Sequence, residues 1–203
     1  MNIFIKILKT TAVFILIFLF FFYLINYKTI NLQIKYYFNS LYYEEETTID
    51  AYLPTVGSRK SQKPIWPENH IVIPKVKINV PIVWNVPINE SLNYLDKGVV
   101  HTKGSAMPGQ PGNVFISGHS SYFWSGPYSS IFAMIHELKK NDEIAIVWNN
   151  YTYKYRVYSS VVISPNQVEY LNQDRSKRIL SLMTCTPIGT DWKRLIVQAE
   201  LIN

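Results

Sequence analysis

Two hydrophobic patterns divide this chain. From Ile3 to Ile25 almost every position is apolar, interrupted by Lys6, Lys9, Thr10 and Thr11, and no charge occurs from Thr10 to Ile25. A helix over this stretch is about 35 Å long, enough to cross a hydrocarbon core of about 30 Å. From His70 onward the period changes to two. Val76, Ile78, Val80, Ile82 and Trp84 alternate with Lys77, Asn79, Pro81 and Val83, which predicts a half-buried strand with Pro81 at an edge or bulge. Further strands are predicted at His70–Pro74, Asn113–Ser117, Glu143–Trp148, Tyr151–Tyr158, Val161–Ser164, Arg178–Thr184 and Arg194–Leu201. Asn149-Asn150 suits a two-residue hairpin turn.

Helices are few after the first. Ser129-Ser130 caps a predicted helix to Lys140, with Ile131, Phe132, Ile135 and Leu138 on one stripe and Lys139 and Lys140 at its end. Gln167–Asp174 is predicted as a second short helix. Many short strands punctuated by Gly and Pro indicate an all-β sandwich or barrel. The pattern divides the chain into an anchor over 1–27, a linker over 28–69 and a β-domain over 70–203. The first half of the linker is tyrosine-rich, continuing as helix or lying on a membrane. The second half carries Glu44-Glu45-Glu46, Pro54, Gly57, Ser58, Pro64 and Pro67, which read as extended and solvated.

The apolar run leaves through Phe21-Phe22-Tyr23-Leu24-Ile25-Asn26-Tyr27 with no small-residue cleavage site, so an uncleaved anchor is expected over a signal peptide. Lys6 and Lys9 favour an N-terminus inside and a β-domain outside the cytoplasm. Of 20 basic residues these two precede the linker, leaving 18 against 14 acidic ones. They are scattered, without a basic stripe interleaved with aromatics, so nucleic acid is not an expected partner. No His-x-x-His, CxxC or carboxylate-rich loop points to a metal, and no cofactor is expected.

The chain has one cysteine, Cys185, at the end of a predicted strand. A lone thiol outside the cytoplasm has no partner in its own chain for a structural disulfide. It is therefore an inert buried thiol, a bridge to another chain or a nucleophile. His119 follows a strand in Ile116-Ser117-Gly118-His119-Ser120-Ser121. Arg194 opens the last strand and falls on the face away from Leu195, Val197, Ala199 and Leu201. A thiolate attacks, an imidazole moves the proton, and a guanidinium with five N–H donors stabilises a developing oxyanion. Together they describe acyl transfer through a thioester.

Thr184-Cys185-Thr186-Pro187 followed by Arg194-Leu195-Ile196-Val197 resembles the signature of the sortase family, T-L-x-T-C-T-P, a loop, then R-L-x-V. Ile71-Val72-Ile73-Pro74, Gly98-Val99-Val100-His101, Pro108-Gly109-Gln110-Pro111-Gly112-Asn113 and Gly118-His119 resemble the same family's upstream motifs, in the same order. Ser181 stands where the family more often has threonine. The resemblance covers about His70 to Leu201 and implies a closed eight-stranded β-barrel. It implies that Cys185 attacks the Thr carbonyl of an LPxTG-like sorting signal on a surface protein, with His119 as general acid and base and Arg194 holding substrate and oxyanion. An amine from a cell-wall precursor or a pilin lysine would resolve the thioester. Thr184, Ser181 and His101 are carried over as candidate substrate contacts. Pro64-Ile65-Trp66-Pro67 lacks the Asp of the lid found in pilin-building sortases and is not read as a lid. Two other readings stay open. One is a different extracytoplasmic cysteine acyl-transferase, such as an L,D-transpeptidase, although no His-Gly-Cys run is present. The other is an anchored, non-catalytic β-domain that binds a partner.

Overall fold

The computed structural model describes residues 2–42, 66–120 and 126–202. The acidic run Glu44-Glu45-Glu46 and the segment from Pro54 to Ile65 lie outside the described residues. Helix α1 spans Asn2–Tyr42. Ile3–Tyr27 within it is long and apolar enough to cross a membrane, and its most apolar stretch is not buried against the protein. The helix does not stop with the apolar run. At about 1.5 Å per residue, the 15 residues from Lys28 to Tyr42 add roughly 22 Å beyond it.

The remaining described chain is a closed β-barrel. Its strands are β1 (His70–Ile73), β2 (Ile78–Val86), β3 (Val99–Thr102), β4 (Gly112–Ser117), β5 (Glu143–Trp148), β6 (Tyr151–Ile163), β7 (Arg178–Thr186) and β8 (Lys193–Leu201). They pair in the order β1-β2-β3-β4-β7-β8-β6-β5 and close between β5 and β1. The β2–β3 and β4–β7 pairs are parallel and the others antiparallel. Inward positions recur every second residue, as strand geometry requires. Ile71, Ile73, Val114, Ile116, Ile144, Ile146, Leu180, Leu182, Val197 and Ala199 thus fill one apolar core. The eight-stranded barrel with few helices agrees with the expected fold.

Several local expectations change. Val161–Ser164 is not a separate strand. It continues β6, which shifts register against β8 between Val157 and Ser159. This bulge reverses the faces. Tyr155 and Val157 point into the core, whereas Val161 and Ile163 pack outside with Phe115 and Ile196. Gly98-Val99-Val100-His101 contributes β3, too short for its alternation to be legible. Pro81 is neither at an edge nor at the bulge of β2. It lies one residue before the β2–β3 pairing opens at Ile82 and Val99, where its missing N–H interrupts no ladder.

The helix predicted over Ser129–Lys140 is a series of tight turns ending in a 3₁₀ turn at Ile135–Glu137. The Phe132 amide donates to the His119 carbonyl (2.8 Å) and so leaves the helical ladder. Phe132, Ala133, Met134 and Ile135 are consecutive buried residues, which a one-sided amphipathic helix cannot deliver. Gln167–Asp174 likewise reduces to a 3₁₀ turn at Glu169–Leu171. There Gln173 Oε1 accepts from the Ala106 and Asn113 amides, and its Nε2 donates to the Asn113 carbonyl, fixing the loop to β4.

Candidate active site

The parallel pair β4–β7 and the antiparallel pair β7–β8 build the site. Along β7, Leu180, Leu182 and Thr184 face inward, so Met183 and Cys185 face outward. On β8, Leu195 and Val197 face inward, so Arg194 and Ile196 face outward. Cys185 and Arg194 are direct cross-strand partners and share this outer face. His119 leaves the end of β4 beside β7. The Gly118 amide donates to the Met183 carbonyl (3.0 Å), and Thr184 Oγ1 donates to the Gly118 carbonyl (2.7 Å). Both backbone polar groups of Gly118 are therefore tied to the two residues preceding Cys185. His119 and Cys185 each follow this tie by one residue. Gly118 is required here, because a β-carbon would sit 2.6 Å from the Phe132 ring.

Arg194 Nη1 donates to the carbonyls of Asp191 (2.8 Å) and Lys193 (3.1 Å). The guanidinium is thus steered by its own loop, and its fork carries further donors. Burial pushes the Cys185 thiol up; Arg194 opposes this shift and Asp191 reinforces it. Burial holds the His119 imidazole below its ordinary value, partly offset by the carboxylate of Asp96. Both shifts favour the uncharged form of their group. Cys185 also opens onto a depression of about 410 Å³, lined in part by Ser120, Phe132, His136, Pro187 and Ile188. Among the described residues no cluster of His, Cys, Asp or Glu is arranged to hold a metal.

The other candidates are placed differently. Thr184 is buried and holds the loop bearing His119. Ser181 is fully buried on the outer face, its hydroxyl accepting from Gln198 Nε2 (3.3 Å), so it lies beneath the surface of that face. His101 corrects the expectation of a groove residue, since its ring is fully buried within the barrel beside β4. Its Nε2 lies 3.0 Å from the Ala106 carbonyl, and its Nδ1 accepts from the Asn85 amide (3.3 Å). The Trp84 ring packs on it at 5.0 Å. Sequence reasoning missed Asp96, Asp191 and the contribution of His136 to the depression. Asp191 carried a signal, an acidic residue between Cys185 and Arg194; Asp96 is distant in sequence and carried none.

Residues 71–202 match the family described as the Sortase domain. Sortase D of Bacillus subtilis is 26% identical over 134 residues, covering 64% of this chain and 62% of that protein. Sortase A of Streptococcus agalactiae is 30% identical over 132 residues, covering 64% of this chain and 51% of that one. The match thus spans less than two thirds of either relative. Among solved structures, a Sortase D5 transpeptidase of Clostridium perfringens superposes with a TM-score of 0.57 at 29% identity, over 66% of this chain and 78% of that one. A match that runs from β1 to the end of β8, on a closed barrel of the same architecture, means that this chain belongs to the sortase family.

Proposed function

We propose that this chain is a membrane-anchored cysteine transpeptidase that cleaves a C-terminal sorting signal of the LPxTG type and passes the acyl group to an amine. The observation that carries this reading is the facing pair Cys185–Arg194, with His119 tied one residue from the same backbone bridge. His119 takes the thiol proton as the sulfur attacks the Thr carbonyl. The oxyanion forms beside Arg194. Collapse breaks the peptide C–N bond, and His119 returns the proton to the leaving amine. The incoming amine, from a cell-wall precursor or a pilin subunit, attacks the thioester carbonyl. A C–N bond forms, the C–S bond breaks, and the amine proton returns through His119 to the thiolate. Water in place of the amine gives hydrolysis.

Thr184 acts here as a positioning residue. The apolar span of α1 anchors the protein with the N-terminus inside and the barrel outside the cytoplasm, an orientation supported by Lys6 and Lys9. The test is a quenched sorting-signal peptide mixed with the protein, with mass spectrometry of the acyl-enzyme. Cys185→Ala is expected to abolish both cleavage and the adduct. Cleavage by this variant at the parent rate would remove Cys185 from the mechanism.

A further inference from the structure

Among the described residues, Asn26 and Tyr37 bring helix α1 against the catalytic barrel. Asn26, 7% exposed, lies against the β7–β8 loop, where a β-carbon on Gly189 would sit 3.0 Å from its Oδ1. Tyr37 donates its hydroxyl to the Glu137 carboxylate. Between these contacts Ile30 and Gln33 are half-buried, whereas Asn31, Ile34, Lys35 and Phe38 are exposed. Asn26, Ile30, Gln33 and Tyr37 are spaced by four, three and four residues, which is one stripe of an α-helix; Tyr37 at its end is itself exposed and reaches the barrel through its hydroxyl. The stripe is about 16 Å long.

Its two ends mark the depression at Cys185. Gly189 follows Ile188, and Glu137 follows His136; Ile188 and His136 both line that depression. The helix therefore runs from beside one rim of this space to beside another, its own residues standing outside the lining. We propose that residues 26–37 of α1 form a wall of the catalytic cleft that limits the width of the group able to approach Cys185 through this depression. The group admitted is a slim primary amine, and a bulky or branched one is excluded while the wall is seated. That the entering group is an amine rests on the function proposed above, whereas the wall acts on any reagent that approaches the sulfur from this side.

The experiment uses the full chain in detergent micelles and reads Cys185 alkylation by a small reagent, iodoacetamide, and by a maleimide carrying a wide dye. The double variant Ile30→Glu, Tyr37→Phe places a charge at a half-buried apolar position and removes one hydrogen bond, so its labelling by the wide reagent is expected to rise by about tenfold. Labelling by iodoacetamide is expected to change by no more than about twofold, since a small reagent passes the seated wall. Ile34→Glu, on the exposed face, serves as the control and is expected to leave both rates unchanged. As a measurement independent of activity, a benzophenone side chain at position 33 is expected to crosslink to the peptide containing His136 or Ile188, and at position 34 to neither. Equal wide-reagent rates in the double variant, the control and the parent would overturn the wall, as would absence of the position-33 crosslink. Absence of transpeptidation by the parent with these two results intact would count against the proposed function alone.

Discussion

Cys185 on β7 and Arg194 on β8 are cross-strand partners, so sulfur and guanidinium leave the barrel on the same face by the geometry of the sheet itself. A slip of one residue in this pairing would move one of them into the core. Charge and fork geometry can be separated at this position. Arg194→Lys keeps a cation near the thiol but loses the planar fork steered by the Asp191 carbonyl. Peptide cleavage is expected to fall by about 10²-fold or more, the usual cost of losing an oxyanion donor. Alkylation of Cys185 in the same variant is expected to stay near the parent rate. Arg194→Ala is expected to slow alkylation as well. Equal cleavage by the Lys variant and the parent would show that only the charge matters.

The thiol is raised and the imidazole lowered, both mainly by burial. At neutral pH the thiolate is therefore scarcer than in a small free thiol. The alkylation rate of Cys185 is expected to keep climbing with pH beyond about 8.5, the ordinary thiol range. A plateau reached below that pH would mean that a stabilised thiolate already exists at rest.

Thr184 tests the coupling between β7 and the loop that carries His119. Thr184→Val keeps the shape and removes the hydroxyl, leaving the Gly118 carbonyl with one fewer donor. Such an unmade buried bond costs about 1–3 kcal/mol. A lower melting temperature is expected, together with a fall in kcat larger than any change in KM, while Thr184→Ser recovers both. A variant that loses stability but retains the parent kcat would reduce Thr184 to a purely structural residue.

Alternation made most of the barrel legible. Glu143–Trp148 forms the strand as predicted, and its turn at Asn149-Asn150 has φ of 53° and 64°, as a tight hairpin requires. Alternation also placed Arg194 away from the core. Parity failed where the backbone departs from regularity. The bulge after Val157 sends Val161 and Ile163 to the outer face, and nothing in their identity marks it. The helical stripe at Ile131, Phe132, Ile135 and Leu138 was real as a pattern, but one long-range bond from Phe132 to His119 outcompeted the local ladder. The same holds for Asn26. A lone polar residue closing an apolar run reads as a membrane boundary, and its contact with Gly189 is visible only in three dimensions.

His101 ties stability to pH. Its ring sits in the barrel with Nδ1 accepting from the Asn85 amide at a left-handed residue, φ 57°, within the register shift of β2 and β3. With Nε2 facing the Ala106 carbonyl, the neutral tautomer carries its proton on Nε2. A second proton on Nδ1 would abolish the acceptor that Asn85 uses. Burial accordingly holds this imidazole below its ordinary value, against a smaller opposing effect of the Ala106 carbonyl. In the unfolded chain the ring takes up its proton near pH 6.5, while in the folded chain it does so only at lower pH. The unfolded state thus binds more protons in that window, and stability falls as pH drops below about 6.5. His119 contributes in the same direction. Thermal unfolding of the parent is expected to shift to lower temperature between pH 7 and 5, and His101→Gln is expected to flatten that slope while lowering stability at pH 7. An unchanged slope in the variant would assign the acid sensitivity to His119 or to other groups.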